Sequence, residues 1–372
     1  MEWLGVIALR AIVVVVCLTT LLPPVRVGFW PVRLCDFLRL QTAGLALLGA
    51  LLGGWLYYAQ RTVEPLIGLT ICAAIAIWQF RFVLPYTRCW RKQIPPAVHG
   101  SGGGVRVAVV NLKFDNSQKA EVLQQLRELD LDLLLLIEID QAWQSALSPL
   151  EERYPYRTGV VREEGLGLML WSRLPLHNPQ TRYLVTPNRA SIFTDIHWQR
   201  PSDSAISATS DVLRFVGVHP LPPGLPDEVN GGRHDSRVRD AELMLVAKHI
   251  SQSPSGQWVV TGDFNDVAWS HTTRMFQRLS GLVDPRVGRG LYNTYHAQHP
   301  WLRFPIDQVF LSPGARLHHI DRVRPCGSDH FAIVTEFSFV GQEPAPLAEQ
   351  AEDRQEAEEM IDEGREQAVA ES

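Results

Sequence analysis

Cysteine is scarce, with five in 372 residues and no closely spaced set among them. Cys17 and Cys72 fall in apolar runs, Cys35 and Cys89 near them, and Cys326 stands alone. This spacing excludes a disulfide framework and a cysteine zinc site, and leaves the redox compartment unread. Phosphate-cradling signatures are missing as well. Gly102-Gly103-Gly104 lacks the Lys-Ser/Thr of a P-loop and follows no strand-like run. There is no Gly-x-Ser-x-Gly elbow for a serine hydrolase. His318-His319 would point its two side chains apart in a strand, which argues against a metal site there. A basic excess is also absent. The overall charge of −5 divides into about −9 over residues 341–372, +6 over 1–98 and −2 over 99–340. A near-neutral globular region makes a polyanionic nucleic acid a less favoured partner, since such proteins grip phosphates with many cations.

Long apolar runs, in contrast, open the chain: Trp3–Leu22, Thr42–Ala59 and Pro65–Phe80. Each approaches the roughly twenty residues that cross a bilayer. A cleaved signal peptide would want basic residues before its core and small ones at its end. Here Glu2 precedes the run and Leu21-Leu22-Pro23-Pro24 closes it. The expectation is a membrane anchor over 1–94 with three spans, two spans plus an interfacial helix being the alternative. Gly49 and Gly53 suit close helix packing in lipid, Trp55, Tyr57, Tyr58, Trp78 and Trp90 suit the interfaces, and Arg10 must snorkel or face the bundle. Arg26, Arg33 and Arg39 share a side with Arg88, Arg91 and Lys92. The positive-inside rule then leans towards a cytoplasmic globular domain, although the amphipathic stretch Val25–Leu40 can mislead that count.

A Pro/Gly linker is expected over 95–104, a globular domain over 105–340, and an acidic disordered tail, or at most a solvated helix, over 341–372. Within the domain, Val105–Val110, Leu133–Ile137, Leu166–Trp171, Ile192–Trp198, Val212–Val218, Trp258–Thr261, Ile306–Leu311 and Phe331–Phe337 read as strands. Val122, Leu126 and Leu129 mark a helix, and Arg237–Ile250 and Thr272–Leu279 read as two more.

Several of these strands stop at a residue able to do chemistry: Asn111, Glu138, His219, and Asp263 with Asn265. Asp307 opens another, and Asp329-His330 precede the last. One such residue is usually a turn former, but together they would gather on one rim of a sheet, where open sheets place their sites. Phosphoester hydrolysis at a metal needs this kit: anionic oxygens for a cation, a base for water, and donors for developing phosphate charge.

The order Asn111, Glu138, His219, Gly-Asp263-Phe-Asn265, Ile-Asp307 and Gly-Ser-Asp329-His330 resembles the endonuclease/exonuclease/phosphatase superfamily over about Val105–Phe339. That superfamily includes apurinic endonucleases, DNase I-like nucleases, sphingomyelinases and inositol polyphosphate phosphatases. A membrane-anchored bacterial branch, with phosphatases related to glycopeptide resistance, is similar in its apolar N-terminus and in His219-Pro-Leu-Pro-Pro. The resemblance implies a DNase I-like α/β sandwich of two mainly antiparallel sheets with outer helices, preceded here by a transmembrane helical anchor. It implies Glu138 as ligand of Mg²⁺ or Mn²⁺, with Asn111 as ligand or orienter and Asp329 helping to hold the metal or the rim. Asp263 would activate water, Asn265 and His219 would donate to phosphate, and His330 would contact it with Asp307 fixing the imidazole. Arg189 and Arg239 are candidate substrate-phosphate contacts, although a surface ion pair is the commoner use of a lone arginine. Two positions depart from the pattern. Lys113 stands where the apurinic endonucleases resemble a second metal-binding carboxylate, and Gln308 follows Asp307 where many relatives carry histidine.

The reading is a divalent-metal-dependent phosphoester hydrolase at a bacterial plasma membrane, acting on a membrane-associated substrate such as a lipid-linked phosphate or pyrophosphate. A membrane-tethered nuclease and an inactive membrane scaffold are the alternatives.

Overall fold

The computed structural model describes residues 2–98, 104–199, 210–227, 232–253, 256–339 and 352–370. Most of the expected glycine linker (99–103) and the segment 340–351 lie outside the described residues. Helices α1 (Glu2–Leu21), α2 (Trp30–Phe37), α3 (Arg39–Gln60) and α4 (Val63–Val83) come first. Three helical stretches, Trp3–Leu21, Arg39–Gln60 and Val63–Tyr86, are long and apolar enough to cross a membrane. Gly49 lies where these helices meet. A Cβ there would fall 2.7 Å from both Cys72 Sγ and Ile12 Cγ2, so only glycine lets α3 approach α1 and α4 so closely. Arg10 is paired with Glu64 at 2.5 Å, linking α1 to the first turn of α4.

The stretch Val25–Leu40 holds an ordered element, α2, which docks on the globular domain. Arg33 reaches Asp240 at 3.4 Å, Arg39 reaches Asp36 at 2.5 Å, and Trp269 Nε1 donates to the Asp36 carbonyl at 2.8 Å. Arg26 pairs with Glu356 at 2.8 Å. Arg26 and Arg33 thus serve docking, while Arg39 ties α2 to α4 through Asp36 and Gln79.

The domain is built from strands β1 (Val105–Asn111), β2 (Leu133–Ile137), β3 (Tyr156–Val160), β4 (Leu168–Ser172), β5 (Leu176–Arg182), β6 (Ser191–Gln199) and β7 (Ser210–Val218). A two-residue ribbon, β8 (Pro226–Asp227) and β9 (Gly232–Arg233), precedes β10 (Gln257–Asp263), β11 (Asp307–Leu311), β12 (Ala315–Val323) and β13 (Ala332–Phe339). One sheet runs β12-β13-β1-β2-β4-β3 and the other β11-β10-β7-β6-β5. Within them β1–β2 and β7–β10 pair parallel and the other neighbours antiparallel.

Alternate residues of each central strand enter different cores, as a period of two requires. Val107, Val109, Leu133 and Leu135 meet Phe215, Val259 and Val309 between the sheets. Ala108, Val110, Leu134 and Leu136 face outward onto α5 (Lys119–Glu128) and α6 (Gln141–Leu147) through Val122, Leu126 and Trp143. Val216, Val218 and Val260 face α7 (Arg237–Ser251) and α8 (His271–Ser280). Burial on both faces explains why Leu133–Ile137 is continuously apolar rather than alternating.

The tail requires a correction. Rather than being disordered or merely solvated, residues 353–370 form α9 (Asp353–Ala370), packed on α7 and α8. Ala357 and Ile361 are buried in the α7–α8 core. Gly364 sits so close to α7 that a Cβ would meet Ala241 Cβ at 2.3 Å. Arg278 makes two hydrogen bonds to Asp353, at 2.9 and 2.7 Å, and Lys248 pairs with Glu358 at 2.5 Å. The acidic composition that suggested a solvated segment instead answers cations on α7, α8 and the anchor. Substituting Ile361→Asp should undock the helix, because an ionised carboxylate has no partner in that core. Amide hydrogen exchange across 353–370 should then accelerate markedly while the sheets stay protected; unchanged protection would contradict the docking.

Candidate active site

The two sheets bring their polar strand ends to one rim. Asn111 ends β1, Glu138 follows β2, His219 follows β7 and Asp263 ends β10. Asp307 opens β11, which runs antiparallel to β10, and Asp307 stands directly opposite Asp263 in the register. His330 precedes β13, antiparallel to β1, and so arrives at the same end. Gly262 delivers Asp263 there at a φ of +152°, and a Cβ at that position would strike the Val218 carbonyl oxygen at 1.9 Å. Glu138 and Asn265 both adopt left-handed backbone, with φ of 63° and 51°. Such conformations cost about 1–3 kcal/mol each and collect at functional sites.

Asn111 joins the carboxylates. Its Oδ1 accepts from Lys113 N at 3.0 Å, which turns Nδ2 towards Glu138 Oε1 at 2.9 Å and Asp263 Oδ2 at 3.4 Å. As oriented it offers a donor to the acids and not an oxygen to a cation, which favours the orienting role over the ligand role. Glu138 Oε2 also accepts from Phe114 N at 3.2 Å. Asp263 Oδ1 accepts from Asn265 N at 2.9 Å, and Asn265 Nδ2 donates to the Pro220 carbonyl at 3.1 Å, so the segment after His219 aims the carboxamide.

On the other flank His330 Nδ1 lies 2.9 Å from Asp307 Oδ2, while Nε2 lies 3.7 Å from Asp263 Oδ2. Burial works against a charged imidazole here. The Asp307 and Asp263 carboxylates outweigh it and raise His330 to about 10. Burial, then the Asp307 charge, raises Asp263 to about 7 despite His330. His219 is held well below its ordinary value by burial and by the cations of Arg189 and His330. Arg189 Nη1 lies 3.4 Å from His219 Nδ1 and can only donate, so the neutral ring carries its proton on Nε2.

Asp263, Asp307 and His330 could bring three ligand atoms within 4.8 Å of one another. A charged imidazole cannot ligate, however, and both carboxylates favour that charge. The carboxylate oxygens of Glu138 and Asp263, bridged by Asn111 Nδ2, suit a hard divalent ion better. Asp329 is half-buried at the rim, where its charge acts on Lys113 and His296.

Arg189 does reach the site, with Nε buried and unpartnered. Arg239 does not present itself to a substrate. It is fully buried, with Nη1 on the Asn265 carbonyl at 2.7 Å and Nε and Nη2 on Asp240 Oδ1 at 2.9 and 2.7 Å. It braces the Asn265 turn from behind. Lys113 pairs with Asp115 at 2.9 Å. Gln308 points away from the site, donating to the Asp266 and Pro305 carbonyls at 2.9 and 2.7 Å.

Two contributors carried no assigned role in the sequence. Ser328 Oγ donates to the Asn111 carbonyl at 2.8 Å and accepts from His330 N at 3.1 Å, tying the histidine loop to β1. Its place beside Asp329-His330 was the available signal. The Tyr295 ring lies 4.9 Å from the His330 ring, and nothing in its local sequence marks it.

None of the curated proteins compared gives a significant match. Several solved structures are similar. One is an endonuclease/exonuclease/phosphatase from Bacteroides vulgatus, with 18% identity over 64% of this chain and 100% of that one and a TM-score of 0.49. The human Nocturnin catalytic domain with bound sulfate has 18% identity over 64% and 95%, TM-score 0.47. A beta toxin mutant from Staphylococcus aureus with bound magnesium ions has 13% identity over 63% and 99%, TM-score 0.44. The family description Endonuclease/Exonuclease/phosphatase family matches residues 108–330, which span the whole rim from β1 to His330. The chain belongs to the endonuclease/exonuclease/phosphatase family and is a metal-dependent phosphoester hydrolase.

Proposed function

We propose that the chain is the membrane-anchored hydrolase of a lipid-linked phosphate or pyrophosphate, using Mg²⁺ or Mn²⁺, in a bacterial plasma membrane. The carrying observation is the contact between the site's supporting loops and the apolar N-terminus. Val267, Ala268 and Trp269, just beyond Asn265, and Phe304 and Ile306, just before Asp307, pack against Phe37, Leu38, Phe82 and Tyr86. A rim built on the anchor meets bilayer substrates at high effective concentration.

In this reading Glu138 would hold the cation beside Asp263, with Asp329 at the edge. When bound, the cation neutralises phosphate charge and makes water more acidic. Asp263 accepts the proton of the attacking water. His330, kept charged and oriented by Asp307, donates to a phosphate oxygen, and His219 Nε2–H donates to another. Asn265, aimed by the Pro220 carbonyl, has a second amide hydrogen for the transition state. Arg189 adds positive charge behind His219.

The test uses the full chain in nanodiscs, since α2 and α9 are docked on the domain. Phosphate release from lipid phosphate and lipid pyrophosphate is compared with plasmid cleavage at physiological salt. Lipid turnover should dominate by about tenfold or more, in line with the weak pull of a near-neutral domain on a polyanion. Efficient plasmid cleavage with intact lipid phosphate would replace this reading with that of a tethered nuclease.

A further inference from the structure

Between the end of α4 and α8 lies a cavity of about 500 Å³, separate from the catalytic rim. Its walls carry four cations, Arg81, Arg91, Lys92 and Arg274, and no carboxylate. None of the four has an ion-pair partner among the described residues. Arg274 Nε, in the cavity wall, makes no hydrogen bond to the protein, and the Gln277 amide has only the Tyr86 hydroxyl beside it. Four cations gathered around one cavity without a carboxylate suit an anionic ligand from outside the protein.

The position of the cavity restricts that acceptor. Arg81 is in the last turn of α4, a helix long and apolar enough to span a bilayer, and its guanidinium lies 4.4 Å from the Trp78 ring centre. Trp90, about half exposed, forms part of the opposite wall. Tryptophan and arginine at a helix end mark the headgroup layer. We infer that this cavity binds the phosphate of an anionic phospholipid, with Arg274 and Gln277 at its floor and Arg81 and Lys92 at its mouth. Charge-assisted bonds from guanidinium to phosphate are the strong class of hydrogen bond. Burial and the nearby cations of Arg278 and Arg39 also depress the Arg274 pKa, which a bound anion would relieve. Trp269, in the cavity wall, belongs to the loop following Asn265, so a bound lipid would brace the domain against its anchor.

The inference uses the anchored reading of α4 but not the catalytic one, and its test reads binding without turnover. The full chain, purified in a neutral detergent, is titrated with short-chain phosphatidylglycerol, phosphatidylcholine or inorganic phosphate while its melting is followed by tryptophan fluorescence. A ligand that binds only the folded state raises Tm with concentration. Phosphatidylglycerol should stabilise the wild type, and Arg274→Gln and Arg81→Gln should each weaken its apparent affinity by about tenfold. Without lipid, Arg274→Gln should change Tm little, because burial and the Arg278 and Arg39 cations oppose its charge more than Asp36 favours it. Exposed Arg81 supplies a second variant that does not depend on core packing. Wild-type responses in both variants would overturn the site. An equal response to inorganic phosphate, or none to phosphatidylglycerol, would overturn the lipid assignment.

Discussion

Replacing Asp263 by asparagine should lower turnover by about a hundredfold or more, the usual loss for a general base, with Tm unchanged or slightly higher. The shape of the side chain is preserved, and so is the oxygen that accepts from Asn265 N. What disappears is the anion. Because burial and Asp307 raise this carboxyl to about 7, its contribution to stability is fully present only below the ordinary range near 3.8 and is lost as pH rises through 7. At pH 8 the charge therefore opposes folding, and asparagine removes that opposition. The same shift gives a kinetic signature. Wild-type rate should climb with pH as Asp263 ionises, with a midpoint at or below about 7 that moves lower as Mg²⁺ is added, since a cation favours the carboxylate. The variant should lack this limb. Near-normal turnover in Asp263→Asn would show that another residue takes the proton.

Arg239→Ala should do the opposite and act on the fold. Arg239 lies fully buried between Asp240 and Asp266, 2.7 Å from the first and 3.6 Å from the second. Removing one partner of a buried ionic cluster costs about 3–5 kcal/mol, because the remaining charges cannot return to water. Arg33 and the Ser270 and Thr273 hydroxyls offer Asp240 and Asp266 incomplete compensation. A large fall in Tm, with any surviving protein showing a near-normal KM, is the expected result. A stable variant with a raised KM would restore Arg239 to the substrate contacts.

The contrast between these residues shows what was legible in the chain. Central strands such as Leu133–Ile137 were readable because burial on both faces leaves an unbroken apolar run bounded by turn residues. Apart from the two-residue β8 and β9, the strands that went unread, β3, β5 and β12, all lie at sheet edges. Edges carry polar and bulged sequences such as His177-Asn178-Pro179-Gln180, and these mimic loops. The rim was readable for a related reason: Asn111, Glu138, Asp263 and His330 each interrupt an apolar strand, and sheet geometry then brings those interruptions together. Arg239 was misjudged because its three acceptors come from the next residue and from a turn some twenty-six positions away, a closure no local pattern records. The tail was misjudged because composition reports charge but not the cations that await it on α7 and α8. Tyr295 reaches His330 only through tertiary packing.

The central claim is that the rim works through a divalent cation held beside Asp263. The most direct measurement is hydrolysis of a lipid phosphate by the full chain in nanodiscs, first after exhaustive chelation and then during titration with Mg²⁺ or Mn²⁺. Activity should vanish on chelation and return saturably with either ion, and Glu138→Gln should require a much higher ion concentration for the same rate, because a hard cation prefers a charged oxygen. Full activity in the metal-free preparation, or a Glu138→Gln titration that overlays the wild type, would contradict the account.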